Sequence, residues 1–145
     1  MSDTPTRIAF VCVQNAGRSQ MAAAFAKRER DARALTDSVE IVTGGTRPAD
    51  SVHDVVVDVM REEAIDLRDR TPREITPDDL RDCDYVITMG CSADGVCPAT
   101  WSGDNRDWNL DDPHGADLET GREIRDEIEA RVASLFDELS GAGSR

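Results

Sequence analysis

Lysine is almost absent from this chain: Lys27 is the only one, and arginine supplies the rest of its 17 basic residues against 30 acidic ones, for a net charge of −13. With no basic stripe to meet phosphates, nucleic acid is excluded as an expected partner. Long apolar runs are missing too. None approaches the roughly 18 residues of a membrane span, and the N-terminal MSDTPTR is polar where a secretory signal would be hydrophobic. No membrane partner is expected, and the expected location is cytoplasmic. Neither an internal repeat nor a linker interrupts the 145 residues, which read as a single domain over 1–145. A chain of this length buries roughly 70% of the surface its unfolded form exposes.

The acidic residues are spread along amphipathic segments, so they read as a solvated surface and not as a disordered acidic block. Such a surface with almost no lysine suits a salt-saturated cytoplasm, because charge repulsion is screened within about 3 Å at 1 M salt. A halophilic protein is the expectation from composition. Four cysteines stand at 12, 83, 91 and 97. A reducing cytoplasm argues against a structural disulfide framework, which leaves reactive thiols or a metal site.

Apolar patterning alternates between short runs and helical periodicity. Residues 7–13 (RIAFVCV), 39–45 (VEIVTGG) and 84–90 (DYVITMG) read as buried strands, and WNL (108–110) as a short fourth. Residues 18–35 read as a helix with Met21, Ala22, Phe25 and Ala26 on one face. A second helix, capped by Asp50 or Ser51, carries Val52, Val55, Val56, Val59 and Met60 at helical spacing. Thr76 and Pro77 mark the cap and first position of a short helix ending near Asp82. The last, about 117–139, lines up Ile124, Ile128, Val132, Leu135 and Leu139 and stops near Gly141. Residues 91–107 read as a long loop. Strands alternating with helices imply an α/β fold with a parallel sheet covered on both faces.

Cys12 ends the first strand, and Arg18, six positions on, opens the first helix. The spacing alone says little; the place says more. In an open parallel sheet this is the edge where ligands bind, and a helix N-terminus there offers unpaired N–H groups and a positive dipole end. A loop over residues 13–19 (Val13, Gln14, Asn15, Ala16, Gly17, Arg18, Ser19) can therefore cradle a tetrahedral oxyanion. Gly17 is expected to supply the positive φ such a loop needs, and Asn15 tolerates a left-handed conformation. Arg18 adds a fork that grips two oxygens. The field that holds an anion also favours a thiolate, and Ser19 is placed to donate a hydrogen bond to it. The alternative is an inert cysteine closing a buried strand.

The run CVQNAGRSQMA, Cys12 to Ala22, resembles the signature of the low-molecular-weight protein tyrosine phosphatase superfamily, and especially its thioredoxin-coupled arsenate reductase branch. The resemblance extends through DLRDRTPREIT, DYVITMGC and WNLDDP to the final helix. It implies a single three-layer domain with a four-stranded parallel sheet, order 2-1-3-4, flanked by helices. It also implies that Asp112, directly before Pro113, is the general acid, with Asp111 a neighbour of undefined role; on its own DDP reads equally well as a turn.

The two branches part elsewhere. Phosphatases of this family usually follow the proline with two tyrosines that line the pocket for an aryl ester; here the sequence is DDPHGAD, and Tyr85, the single tyrosine, lies within a strand. The reductases place two further redox cysteines after the third strand, where this chain has CSADGVCP with Cys91 and Cys97. Reducing As(V) to As(III) takes two electrons, which a thiol pair supplies as it becomes a disulfide. The resemblance thus implies arsenate as substrate, with phosphate or sulfate as analogues, and a Cys12–Cys91–Cys97 relay. No bound cofactor is implied; reducing equivalents come from thioredoxin or a small thiol. Two alternatives stay open: a phosphatase working through a Cys12 phosphocysteine, and an oxyanion-binding or redox-sensing module without turnover.

Three departures from the reductases stand out. Five residues separate Cys91 from Cys97 where well-known bacterial reductases have six, position 17 is glycine where many have cysteine, and Ala23 replaces a glutamate that in some helps hold potassium. No metal site is carried over. A zinc site with Cys83 or His114 is the competing reading of the downstream cysteines, but it lacks a close C-x-x-C pair. Cys83 is expected to pack, His53 and His114 to lie at the surface, Arg47 to be a surface-loop arginine, and Trp101 and Trp108 to pack in core or loop.

Overall fold

The computed structural model describes residues 5–89, 104–108, 110, 113 and 115–143. Strand β1 (Thr6–Cys12) forms the centre of a sheet with β2 (Val39–Gly45) on one side and β3 (Tyr85–Met89) on the other, and β4 (Asp104–Asp107) at the edge beyond β3. Every pairing is parallel, in the order 2-1-3-4.

Period-two alternation in β1 divides the core. Ile8, Phe10 and Cys12 point to the face covered by α1 (Arg18–Ala32), α2 (Asp54–Arg61) and α4 (Leu118–Gly143), and join the larger apolar cluster. Ala9 and Val11 point the other way, to a smaller cluster with Ile75, Leu80, Cys83 and Val86 beneath α3 (Pro77–Leu80). Both faces are covered, unequally. The predicted helical faces are those that pack: Met21, Ala22, Phe25 and Ala26 of α1, and Ile124, Ile128, Val132 and Leu135 of α4, are all buried.

Helix α3 begins as its sequence signals. The Thr76 hydroxyl accepts the Asp79 N–H while the Asp79 carboxylate accepts the Thr76 N–H, with proline just inside the start. Helix α1 ends at Ala32, three residues early, because Ala34 turns to φ 57° and the Leu35 N–H folds back onto the Arg30 carbonyl at 2.8 Å. Helix α2 starts at Asp54 with His53 as its cap, not at Asp50 or Ser51.

The fourth strand corrects the sequence reading. It is DNRD (104–107), inside the expected loop, and not WNL at 108–110. Apolar periodicity could not find it, since it is an exposed edge held by polar groups: the Asn105 amide donates to the Val86 carbonyl at 3.1 Å, and Arg106 bridges Asp104 and Glu138 of α4. Trp108 instead turns into the core, its ring 5.9 Å from Phe10, while its backbone N–H donates to the Thr88 carbonyl at 2.8 Å.

Candidate active site

The chain from Cys12 to Arg18 curls at the carboxyl end of β1, and its carbonyls are drawn outward by the irregular segment that follows β2. The N–H groups of Thr46, Arg47, Ala49 and His53 donate to the carbonyls of Cys12, Val13, Gln14 and Ala16 at 2.8–3.1 Å. In a trans peptide the carbonyl and the next N–H point in opposite directions. Turning those four carbonyls out therefore turns the N–H groups of Val13, Gln14, Asn15 and Gly17 toward the inside of the loop. One of them shows its target: the Asn15 N–H lies 3.2 Å from Cys12 Sγ. The last of the four outward bonds engages the His53 N–H, and His53, with an extended backbone, is the residue from which α2 starts.

Cys12 is buried at 3% exposure, and its sulfur lies 2.8 Å from Ser19 Oγ. If the sulfur is a thiolate it has no proton to give, so Ser19 is then the donor. Asn15, at φ 52°, is fully buried and acts as a hub. Its Oδ1 accepts the Arg73 backbone N–H at 3.0 Å and the Gln20 amide at 3.2 Å, and its Nδ2 donates to Ser19 Oγ at 2.7 Å and Thr43 Oγ1 at 3.0 Å. A backbone N–H can only donate, so the Arg73 contact alone fixes which way the Asn15 amide faces.

Gly17 departs from expectation. Its φ is −142°, not positive, and the left-handed residue of the loop is Asn15. Gly17 is needed for space: a Cβ there would lie 2.8 Å from Pro113 Cγ. Gly45, at the end of β2, has a similar role, since a Cβ would come within 2.5 Å of the Val13 carbonyl oxygen and 2.9 Å of the Asn15 nitrogen.

Arg18 opens α1 and donates from Nη1 to the Leu110 carbonyl at 3.1 Å. Leu110 and Pro113 are thus both in reach of the loop. Asp112 itself lies outside the described residues, as do Cys91, Cys97, Asp111, His114 and Trp101. The structure brings Cys12, Val13, Gln14, Asn15, Ala16, Gly17, Arg18 and Ser19 into one curl. It does so with help that sequence reading missed: Thr43, Gln20, Arg73 and His53. His53 is not a plain surface residue; its Nε2 lies 3.0 Å from Gln14 Oε1 and its backbone holds Ala16. None of these four left a trace in the local pattern; the Gly44-Gly45 pair did, as a strand end where Gly45 admits the backbone of the loop.

Arg47 is exposed, as expected of a surface-loop arginine. Cys83 precedes β3, at the end of the sheet opposite Cys12, where its thiol donates to the Asp79 carbonyl at 3.6 Å. Burial pushes this thiol up to about 11. Among the described residues no three His, Cys, Asp or Glu side chains converge to hold a metal ion, and no helix is long and apolar enough to cross a membrane.

Comparison with known proteins agrees with this geometry. The chain is 60% identical over 139 residues to a Halobacterium salinarum protein named "Putative arsenate reductase", covering 96% of each. Its fold is similar to that of the Corynebacterium glutamicum thioredoxin-dependent arsenate reductase, with TM-score 0.79 and 32% identity over 98% of this chain; the chain spans 65% of that structure's length. It is likewise similar to an arsenate reductase solved in a phosphate-binding state, with TM-score 0.73 and 30% identity over 92% of this chain and 98% of the other. Residues 7–144 match the family described as low molecular weight phosphotyrosine protein phosphatase. With the loop, the sheet order and these likenesses in agreement, the chain belongs to the low molecular weight phosphotyrosine protein phosphatase family.

Proposed function

We propose that this protein is an arsenate reductase of the thioredoxin-coupled type, acting in arsenic detoxification. The observation that carries the reading is a register: Met89, the last residue of β3, is the sheet partner of Cys12. Adjacent strands lie about 4.8 Å apart, so the chain that enters CSADGVCP leaves the sheet beside the nucleophile. The 60% identical relative and the thioredoxin-dependent neighbour support the same chemistry.

In this reading the N–H groups of residues 13–19 and the Arg18 fork hold arsenate. The Cys12 thiolate attacks arsenic, and a hydroxyl leaves as water with a proton from Asp112. Cys91 then attacks Cys12 Sγ; the S–As bond breaks, its electron pair reduces As(V) to As(III), and arsenite departs. Cys97 attacks Cys91, freeing Cys12 and leaving a Cys91–Cys97 disulfide, which a thioredoxin-like protein or a small thiol reduces. No resident cofactor or metal enters. The setting is a cytoplasmic one, and the acidic, lysine-poor surface is that of a halophilic protein.

A coupled assay tests this. With thioredoxin and its reductase, NADPH oxidation should depend on arsenate, and Cys91→Ser or Cys97→Ser should abolish turnover. Efficient hydrolysis of p-nitrophenyl phosphate that ignores both changes yet is lost in Cys12→Ser, with no arsenate-dependent oxidation, would establish the phosphatase alternative instead. Oxyanion binding with neither activity would leave a binding module.

A further inference from the structure

Along the edge strand β2, between α1 and the segment that carries Arg70, Arg73 and Asp79, lies a cavity of about 490 Å³. Its charge is unlike the rest of the molecule. Most other arginines meet carboxylates, as Arg33 meets Glu29 and Asp137, and Arg122 meets Glu62. Two cations lining this cavity, Lys27 of α1 and Arg70, make no ion pair among the described residues. They also repel each other: burial, then Arg70 and Arg30, push the Lys27 ammonium below its ordinary range.

Three carboxylates share the lining, and two are already engaged. Glu40 faces Arg7 at 3.5 Å and Asp79 faces Arg73 at 3.3 Å; Asp69 is exposed, as is Arg70, so the lining keeps an excess of one positive charge. Arg7 adds a buried Nε with no hydrogen-bond partner among the described residues. A surplus of positive charge inside a concavity, on a chain of net charge −13, is a focused potential that attracts an anion.

We propose that this cavity is a second oxyanion site, bound between Lys27 and Arg70 and taking a free tetrahedral anion of the sulfate or phosphate class. An anion there replaces the repulsion between the two cations with two attractions. It also ties α1 to the segment that carries Arg73, whose N–H rests on Asn15. Asn15 and Gln20 line this cavity and belong to the catalytic loop and its helix, so occupancy stabilises the loop from behind.

The test must silence the first site. In Arg18→Ala, which disables the loop's own anion grip, sulfate is titrated at constant ionic strength and constant chloride while Tm is followed. Sulfate at ten times its Kd should raise Tm by about 4 °C, and adding Lys27→Gln and Arg70→Gln should remove that rise. A Tm in Arg18→Ala that ignores sulfate, or a rise that survives the two glutamines, overturns the proposal. Crystals of the unsubstituted protein soaked in selenate give an answer independent of variant folding: anomalous selenium density between Lys27 and Arg70 supports the site, and density confined to the Cys12 loop refutes it. Neither readout depends on arsenate turnover, so the site stands or falls apart from the proposed reaction.

Discussion

The side-chain oxygen of Asn15 accepts the backbone N–H of Arg73 at 3.0 Å, joining the Cys12 loop to a segment 58 residues further along the chain. With its other three bonds, to Gln20, Ser19 and Thr43, this makes one buried amide the common support of the loop, the start of α1 and the end of β2. Ser19 in turn faces Cys12 Sγ, so this buried hydroxyl beside the thiol is oriented through Asn15.

Replacing that amide should cost more than a typical substitution. Asn15→Ala leaves buried partners unsatisfied and puts Cβ without a local hydrogen bond at positive φ, for a loss of about 2–4 kcal/mol. Asn15→Gly keeps the backbone at ease and should recover about 1 kcal/mol of it. Urea unfolding measures both; an Asn15→Ala protein as stable as the parent would remove the hub from the account.

Acid should act through Glu62. Hydrogen bonds from Arg122 and Arg125 of α4 hold its carboxyl at about 2, against an ordinary value of 4.5. A lowered folded-state value means the clasp between α2 and α4 contributes fully above about pH 4.5 and is lost as pH falls through about 2. Glu62→Gln should therefore be less stable than the parent near neutrality, and the gap should close between those two values. Urea midpoints across that range check it, and a gap independent of pH would contradict it.

Cys83 should be silent. With its thiol pushed up to about 11 by burial, it stays protonated at pH 8. Iodoacetamide should leave Cys83 unmodified in the native protein and label it in urea, as read by peptide mass spectrometry. Cys83→Ala should keep arsenate turnover. Rapid native labelling of Cys83 would return it to the list of candidate redox thiols.

Salt should stabilise the whole molecule. With 30 acidic residues against 17 basic, repulsion across the surface is relieved as ions screen it. Tm should rise as KCl increases from about 0.2 M, most steeply up to about 1 M, where the Debye length has shortened to about 3 Å. A flat or falling Tm would count against a halophilic design.

The elements most legible in sequence were those whose pattern arises from burial. The central strand β1 is apolar because both faces of the sheet are covered there, and α3 announces itself through Thr76, Pro77 and Asp79 because a helix start needs its N–H groups satisfied locally. β4 was illegible for the converse reason: DNRD is an edge held by a ladder, an asparagine side chain and ion pairs, none of which leaves an apolar period.

The site divides in the same way. Sequence alone determined that a cysteine and an arginine flank a loop between a strand and a helix, because that chemistry is local: six residues span it, and the helix dipole comes with the fold of its own segment. Only the tertiary structure decided how the loop is held. Its carbonyls are taken by residues 46–53, its amide hub is met by Arg73, and Gly17 and Gly45 make room for Pro113 and for the loop's own backbone. Those partners are far away in the chain and were brought close by packing of the sheet and helices, a proximity that no local periodicity encodes.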